Sequence, residues 1–275
     1  MKISMMSYTV FRQYSEVTLS DIDELCKLTK EVGLDGIDYV TTYGISPRET
    51  RKVTDDYGLK TVCYTFFADL NFPDEKERRH GREQVKKGIE TALILGTDKV
   101  MLPIGGKPGF SREESRRNVI EGLKNAVELG KKVGVTVTVE HFPHYLSPFI
   151  VSADVNEALG EVPDLRITYD CGNVLTGGED PVTGFENSKR GIVHAHFKDW
   201  TISTKKGKGL RGADGRFYLP ALIGEGIVDH QNILKAMKKA GYGGYINLEY
   251  EGDEYRPREA IIRGTERLQN MIGNV

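Results

Sequence analysis

A helix that closes on glycine and passes within a few residues into an apolar strand recurs along this chain. That rhythm restricts the fold more than any other feature. EVGLDGIDY, DYGLKTVCY, LGTDKVML, KVGVTVTVE and AGYGGYINLE all carry it. The glycine supplies the left-handed turn that ends a helix before the next strand begins. Strand candidates rich in β-branched and aromatic residues fall at 2–8, 36–41, 60–66, 99–104, 136–142, 166–170, 192–199 and 245–251. Helix candidates lie between them. Residues 20–32 have Ser20 as N-cap, and residues 46–57 open on a capping box, SPRE, with Pro47 in the first turn. Further helices are expected at 74–95, 111–133, 152–159, near 180–189, at 229–240 and at 256–271. Strict alternation of strand and helix predicts a parallel sheet, and eight such units close into a barrel. An open doubly wound sheet would place a glycine-rich phosphate loop after the first strand. TVFRQYSEV follows Tyr8 instead, without glycine. The expected fold is therefore α/β, a single (β/α)₈ TIM barrel occupying residues 1–275, a length that suits one such barrel.

Charge and cysteine usage narrow the function classes. The 38 basic and 40 acidic residues give a net charge of −2, so no bulk attraction to nucleic acid or anionic membrane is expected. Cys26, Cys63 and Cys171 form no CxxC pair and suggest neither a zinc knuckle nor a disulfide framework. With no signal-peptide pattern in MKISMMSYTVF and no long apolar run, the expected location is cytoplasmic. The one long irregular stretch, 200–229, contains KKGKGLRGADGR and follows the seventh strand, over the expected active face.

Barrels of this kind carry their chemistry at the C-terminal ends of the strands. Strands five to eight end in Glu140, in Asp170, in His196 with Asp199, and in Glu249 with Glu251. Four adjacent strands thus offer three carboxylates and an imidazole at one level. Converging carboxylates repel one another unless a cation joins them. This hard, oxygen-rich set suits one divalent ion such as Mn²⁺, Mg²⁺, Co²⁺ or Zn²⁺. Alternation along the seventh strand puts His194, His196 and Lys198 on one face. Lys198 then lies nearest the mouth. There it either holds a substrate oxygen and stabilises an enolate, or pairs with Asp199 or another carboxylate. His194 reads as a core histidine or a support for a ligand. His141 points away from the ion if Glu140 points in, His144 lies in a loop within reach of substrate, and His80 and His230 read as solvated. Tyr8, Tyr64 and Phe66 at strand ends, and Trp200 after the seventh strand, offer surfaces for a sugar ring or simply pack the barrel end. Arg211 and Arg216 either clamp an anionic group or solubilise a lid.

Read together, VEHF, YDCGN, HAHFKD and NLEYEG resemble the xylose-isomerase-like barrels, and the resemblance extends over essentially the whole chain. That superfamily includes ketose 3-epimerases, hydroxypyruvate isomerases, inosose dehydratases and the endonuclease IV group. The resemblance implies Glu140, Asp170, His196 and Glu249 as metal ligands, with Glu140 and Glu249 doubling as the acid/base pair; Lys198 is a catalytic candidate beside them from its place on the seventh strand. It also implies a small sugar substrate, and dimers or tetramers. The epimerases usually carry a histidine three residues after the strand-six aspartate; here that position is Asn173, a form found in the dehydratase branch. The expected substrate contacts are His144, Asn173, Trp200, Tyr8 and Tyr64. The expected activity is metal-dependent proton transfer beside a carbonyl, giving isomerisation or epimerisation, with dehydration or lyase chemistry as the alternative. An endonuclease IV-like phosphodiesterase would need more ligands on strands two to four, which end in Asp38 and Tyr39, Tyr64 and Phe66, and Met101 and Pro103, with no histidine. A non-catalytic sugar-binding barrel is the remaining reading.

Overall fold

The apolar runs form strands where both backbone edges find partners. In a computed structural model covering residues 1–275, eight parallel strands close on themselves. They are β1 (Lys2–Met6), β2 (Gly36–Val40), β3 (Lys60–Thr65), β4 (Lys99–Leu102), β5 (Thr136–Glu140), β6 (Arg166–Asp170), β7 (Ile192–Phe197) and, after three short strands described below, β11 (Tyr245–Leu248). Their order around the barrel is β1-β11-β7-β6-β5-β4-β3-β2. The chain is a (β/α)₈ TIM barrel. Several strands stop short of their expected C-terminal ends. There the ladder ceases and polar side chains turn into the barrel mouth.

Helices α2 (Leu19–Glu31), α3 (Pro47–Asp56), α4 (Glu75–Leu95), α5 (Arg112–Lys132), α6 (Ser152–Glu161), α8 (Pro181–Ser188), α9 (His230–Lys239) and α10 (Pro257–Gly273) follow the expected positions, with short helices α1 (Ser7–Phe11) and α7 (Cys171–Thr176) added. Two caps differ from expectation. Thr18, not Ser20, caps α2, exchanging hydrogen bonds with Asp21 in a capping box. Ser46 precedes α3 but its hydroxyl caps nothing. The α5 box, Ser111 with Glu114, forms as expected. Gly96 ends α4 at φ 80°, the left-handed conformation its place requires. One hydrophobic cluster runs from Ile3 to Leu268 and joins the outer strand faces to the helices. Gly88 belongs to this packing, since a side chain there would meet the ring of Phe66.

The barrel interior is polar where branched apolar residues usually fill it. Ser4, Asp38, Thr138, Thr168, His194, His196 and Asn247 are all buried. Ser4 Oγ donates to Asp38 (3.0 Å) and accepts from Asn247 Nδ2 (3.2 Å), and the Thr138 and Thr168 hydroxyls meet at 2.7 Å. Burial of so many polar groups is tolerable only when they bond one another.

The stretch expected to be irregular is not. Strands β8 (Asp199–Ile202), β9 (Leu210–Arg211) and β10 (Phe217–Ala221) form an antiparallel sheet in the order β8-β10-β9. Pro220 within β10 hides it from a sequence reading. The Asp199 carboxylate anchors the return, accepting from the backbone N–H groups of Trp200, Gly224, Gly226 and Val228 at 2.9–3.1 Å. The three cysteines are free and buried, and no helix is long and apolar enough to cross a membrane.

Candidate active site

Alternation along the strands settles which residues face inward. Thr65, Met101, Glu140 and Glu249 line one cavity of about 420 Å³ at the C-terminal mouth of the barrel. Glu140 ends β5, Asp170 ends β6, His196 lies on β7 and Glu249 follows β11. Donor atoms from these four residues all lie within 4.8 Å of one another, and all four residues are buried. An ion with bonds of ~2.1 Å needs neighbouring donors about 3 Å apart and opposed ones about 4 Å apart. The cluster is close to that size. His196 Nδ1 is 2.7 Å from Glu140 Oε1 and 3.6 Å from Glu249 Oε2. Asp170 Oδ2 and Glu249 Oε2 are buried without a hydrogen-bond partner. Two orphaned carboxylate oxygens in one hard donor set fit a divalent cation.

The electrostatics carry the strain of this crowding. Burial raises the Asp170 carboxyl well above its ordinary range; Lys198 opposes this, while Glu140 and Glu249 add to it. Burial also lifts Glu249 to about 7, against Lys198 and with Glu251 and Glu140. Burial alone would raise Glu140, but the His196 hydrogen bond together with the charges of His196, Lys198 and His141 outweighs it and holds that group low. His196 behaves conversely. Burial disfavours its cation, yet Asp38 and Glu140 raise it well above the usual imidazole value.

Lys198 occupies the gap between the acids. Its Nζ lies 2.8 Å from Glu249 Oε1, 3.3 Å from Glu251 Oε2 and 3.6 Å from Asp170 Oδ2. It lines the cavity and pairs with these carboxylates; Asp199, the other expected partner, is engaged by backbone.

Behind the cluster stands Asp38, an acid near the end of the second strand to which the sequence assigned no role. Its carboxylate accepts from Ser4, bonds His194 Nε2, and lies 3.6 Å from His196 Nε2. Asp38 is held well below the usual carboxylate range: burial opposes ionisation, but His194 and His196 more than compensate. The two nitrogens of His196 thus face two carboxylates, Glu140 in front and Asp38 behind. A carboxylate behind a ligating imidazole fixes its tautomer and ring angle. An acid inside the apolar run GIDYV was the available signal.

Tyr8, His144 and Asn173 line the cavity. Asn173 is fully buried, and neither its Oδ1 nor its Nδ2 has a partner. Its backbone N–H donates to Asp170 Oδ1 at 2.7 Å, which fixes its place. His144 adopts φ 108°, a costly conformation for a branched ring. The Leu146 N–H donates to its Nδ1 (3.3 Å), which leaves Nε2 protonated.

Tyr64 and Trp200 do not line the cavity. Thr65 takes the inward position, so Tyr64 faces the helices and stacks on Phe66 at 5.7 Å between ring centres. Trp200 is buried in β8 beside Gly172, with its ring 5.8 Å from Lys198 Nζ. It backs the lysine. His230 is buried instead of solvated; its Nε2 donates to the Lys198 carbonyl at 3.1 Å. His141 faces outward against Tyr169, and burial lowers it to about 4. Glu251 and Phe142 join the cavity wall, though neither was expected as a substrate contact.

The loop carrying Phe142, Pro143 and His144 is pinned by Asp154. That carboxylate accepts from Arg112 (2.5 Å), Arg116 (2.8 Å) and the N–H groups of Ile150 (3.0 Å) and Val151 (3.2 Å).

Comparison with known proteins gives a consistent picture. Residues 26–271 match the family described as xylose isomerase-like TIM barrel. An uncharacterised protein of Methanocaldococcus jannaschii, MJ1311, is 26% identical over 250 residues, covering 84% of this chain and 80% of its own. The inosose dehydratase of Erwinia tasmaniensis is 26% identical over 266 residues, covering 88% and 87%. A solved structure of L-ribulose 3-epimerase superposes with a TM-score of 0.81 at 15% identity, covering 100% of this chain and 95% of that one.

Proposed function

The chain belongs to the xylose isomerase-like TIM barrel family, and on that premise we propose that it is a divalent-metal-dependent enzyme moving a proton beside the carbonyl of a small sugar or keto-sugar. The observation that carries this reading is the convergence of Glu140, Asp170, His196 and Glu249 within 4.8 Å at the barrel mouth. An ion held by those four groups supplies Lewis-acid polarisation of a substrate carbonyl. Mn²⁺, Mg²⁺, Co²⁺ and Zn²⁺ all suit the donor set.

The chain's own residues do the rest. Glu140 ends β5 and Glu249 follows β11, the two ends of the arc of strands that carries the donors, and one carboxylate takes the proton from the carbon beside the carbonyl while the other returns it. Delivery to the opposite face gives an epimer; delivery to the neighbouring carbon gives an isomer. Lys198, 2.8 Å from Glu249, keeps an ammonium where negative charge develops on the substrate. Asn173, Tyr8 and His144 orient the hydroxyls, and Met101 and Phe142 keep water from the reacting carbon.

Dehydration or lyase chemistry is the second reading. Asn173 stands where the epimerases usually carry histidine, and an inosose dehydratase is similar over 88% of the chain. Loss of a β-hydroxyl begins with the same proton abstraction, so one experiment tests the shared step. Metal-loaded protein is incubated in D₂O with ketoses, keto-inositols and 3-keto-glycosides, and proton NMR follows exchange at the carbon beside the carbonyl. Exchange is expected, with Glu140→Gln slowing it about 10²–10⁴-fold in a folded protein. Near-full exchange by that variant refutes the assignment.

A further inference from the structure

We propose that this cavity selects a neutral, unphosphorylated polyhydroxy ketone, with Asn173 and Glu251 reading its hydroxyl groups. The inference rests on the reading above for what is done to the substrate, but its argument comes from the wall of the cavity.

The wall carries three carboxylates, Glu140, Glu249 and Glu251, and one permanent cation, Lys198. That cation already has carboxylate partners in Glu249 (2.8 Å) and Glu251 (3.3 Å). With a divalent ion bound and His196 neutral as its ligand, the four carboxylates, buried Asp170 included, still outnumber the positive charge of the ion and Lys198, and the balance is negative. A phosphate dianion entering this space meets uncompensated like charge in a low-dielectric site.

No arginine and no lysine other than Lys198 lines the cavity, and His144 is its one imidazole, held low by burial and by Arg211. Arg12 bonds the Gly252 carbonyl and Asp253, Lys107 pairs with Asp69 at 2.6 Å, and Arg216 pairs with Asp214 at 2.5 Å. Arg211 lies flat on the Tyr145 ring at 4.7 Å. Of the arginines that the sequence offered as an anion clamp, Arg216 closes the β9–β10 turn on Asp214 and Arg211 packs on Tyr145 in the loop after β5. Phosphate recognition normally rests on such groups acting in pairs or forks.

Asn173 makes the positive case. Both polar atoms of its amide are buried and unpartnered, and the residue lines the cavity. An amide offers a donor and an acceptor, and a hydroxyl group matches both. A phosphate oxygen matches only the donor and leaves the amide oxygen facing an anion. Glu251, part-exposed beyond Lys198, adds an acceptor for a second hydroxyl. Val40, Phe67, Met101 and Phe142 supply an apolar surface for the C–H face of a sugar or cyclitol. A volume of about 420 Å³ lies toward the small end of ligand cavities, which span roughly 300–1,000 Å³, and suits one monosaccharide unit.

The test is direct binding, read by calorimetry and saturation-transfer NMR. Pairs of a pentulose or hexulose and its terminal phosphate are compared on metal-loaded and metal-free protein, and a keto-inositol is added to the panel. The neutral member of each pair is expected to bind at least about tenfold more tightly, a difference of ~1.4 kcal/mol. Asn173→Leu is expected to weaken the neutral ligands about tenfold or more, since it leaves a bound hydroxyl unpaired. Glu251→Lys is expected to reverse the preference toward the phosphorylated member, with circular dichroism confirming the fold and Glu251→Gln as the milder companion. Equal or tighter binding of the phosphates by the wild-type protein overturns the proposal. So does full affinity for neutral ligands in folded Asn173→Leu, or no binding of any neutral ketone. A neutral ketose that binds but never exchanges its α-proton refutes the reaction and not the substrate class; faster exchange with the phosphorylated partner does the opposite.

Discussion

Replacing Asp38 by asparagine should weaken both the fold and metal binding, and the two losses can be separated. The side chain keeps its shape but loses its charge. In the wild type the carboxylate accepts from Ser4 at 3.0 Å, bonds His194, and lies 3.6 Å from His196 Nε2, all in full burial. Breaking a buried charged pair by removing one partner costs about 3–5 kcal/mol, and a charged hydrogen bond is worth about 1.5–3. Asparagine retains one acceptor, so a loss of about 2–4 kcal/mol is expected. For a chain of this size that lowers the melting temperature by about 3–7 °C. The second effect follows from His196. Its Nδ1 faces the carboxylate cluster while Asp38 stands 3.6 Å behind the other nitrogen, and losing such an outer carboxylate costs about 10–100-fold in metal affinity. Differential scanning calorimetry and competitive metal titration measure the two. Gly88→Ala serves as the control. It crowds Phe66 against α4, on the helix side of β3 and not among the four donor residues, costs about 1–3 kcal/mol, and should leave metal affinity unchanged. Metal affinity falling no further in Asp38→Asn than in Gly88→Ala would falsify the reasoning.

Other outcomes follow from the same geometry. Burial raises the Glu249 carboxyl from 4.5 to about 7 in metal-free protein, so the folded state prefers that proton; its contribution is fully present below pH 4.5 and lost as pH rises through 7. The stability of metal-free Glu249→Gln relative to wild type should therefore climb by about 3 kcal/mol across that window, as urea titrations at pH 5 and pH 8 will read; a flat difference contradicts it. Asp154→Ala removes the carboxylate shared by Arg112 and Arg116, leaves Arg116 with Glu157, and frees the loop before α6, so a loss of about 2–3 kcal/mol and a raised KM are expected from denaturation curves and steady-state kinetics. Lys198→Met should sharpen the dependence of stability on added metal, because the ion then becomes the only cation among Asp170, Glu249 and Glu251; thermal shifts with and without Mn²⁺ decide it.

Much of the barrel was legible because its signals are local. Glycine after a helix and β-branched residues after the glycine need no tertiary knowledge, and the acids ending TVTVE and RITYD break an apolar pattern visibly. What was hidden depends on parity and distance. Nothing in KTVCYTF says whether Thr65 or Tyr64 faces inward; the register with Met101 on β4 decides it. Trp200 reads as a loop aromatic until β10 pairs with it. His230 looks solvated beside Asp229, yet the Lys198 carbonyl and the Asp199 turn draw it into the core. Asp38 was visible as a lone acid in GIDYV, but its purpose appears only when His194 and His196 arrive from a strand more than 150 residues away.

Counting ions answers the main question most directly. Chelator-treated protein, titrated with Mn²⁺ or Zn²⁺ and analysed by elemental mass spectrometry after desalting, should retain one ion per chain. Asp170→Asn combined with Glu140→Gln, still folded by circular dichroism, should retain almost none. A wild-type protein that stays well below one ion, or a double variant that still fills completely, would mean that these buried acids serve some purpose other than holding a cation.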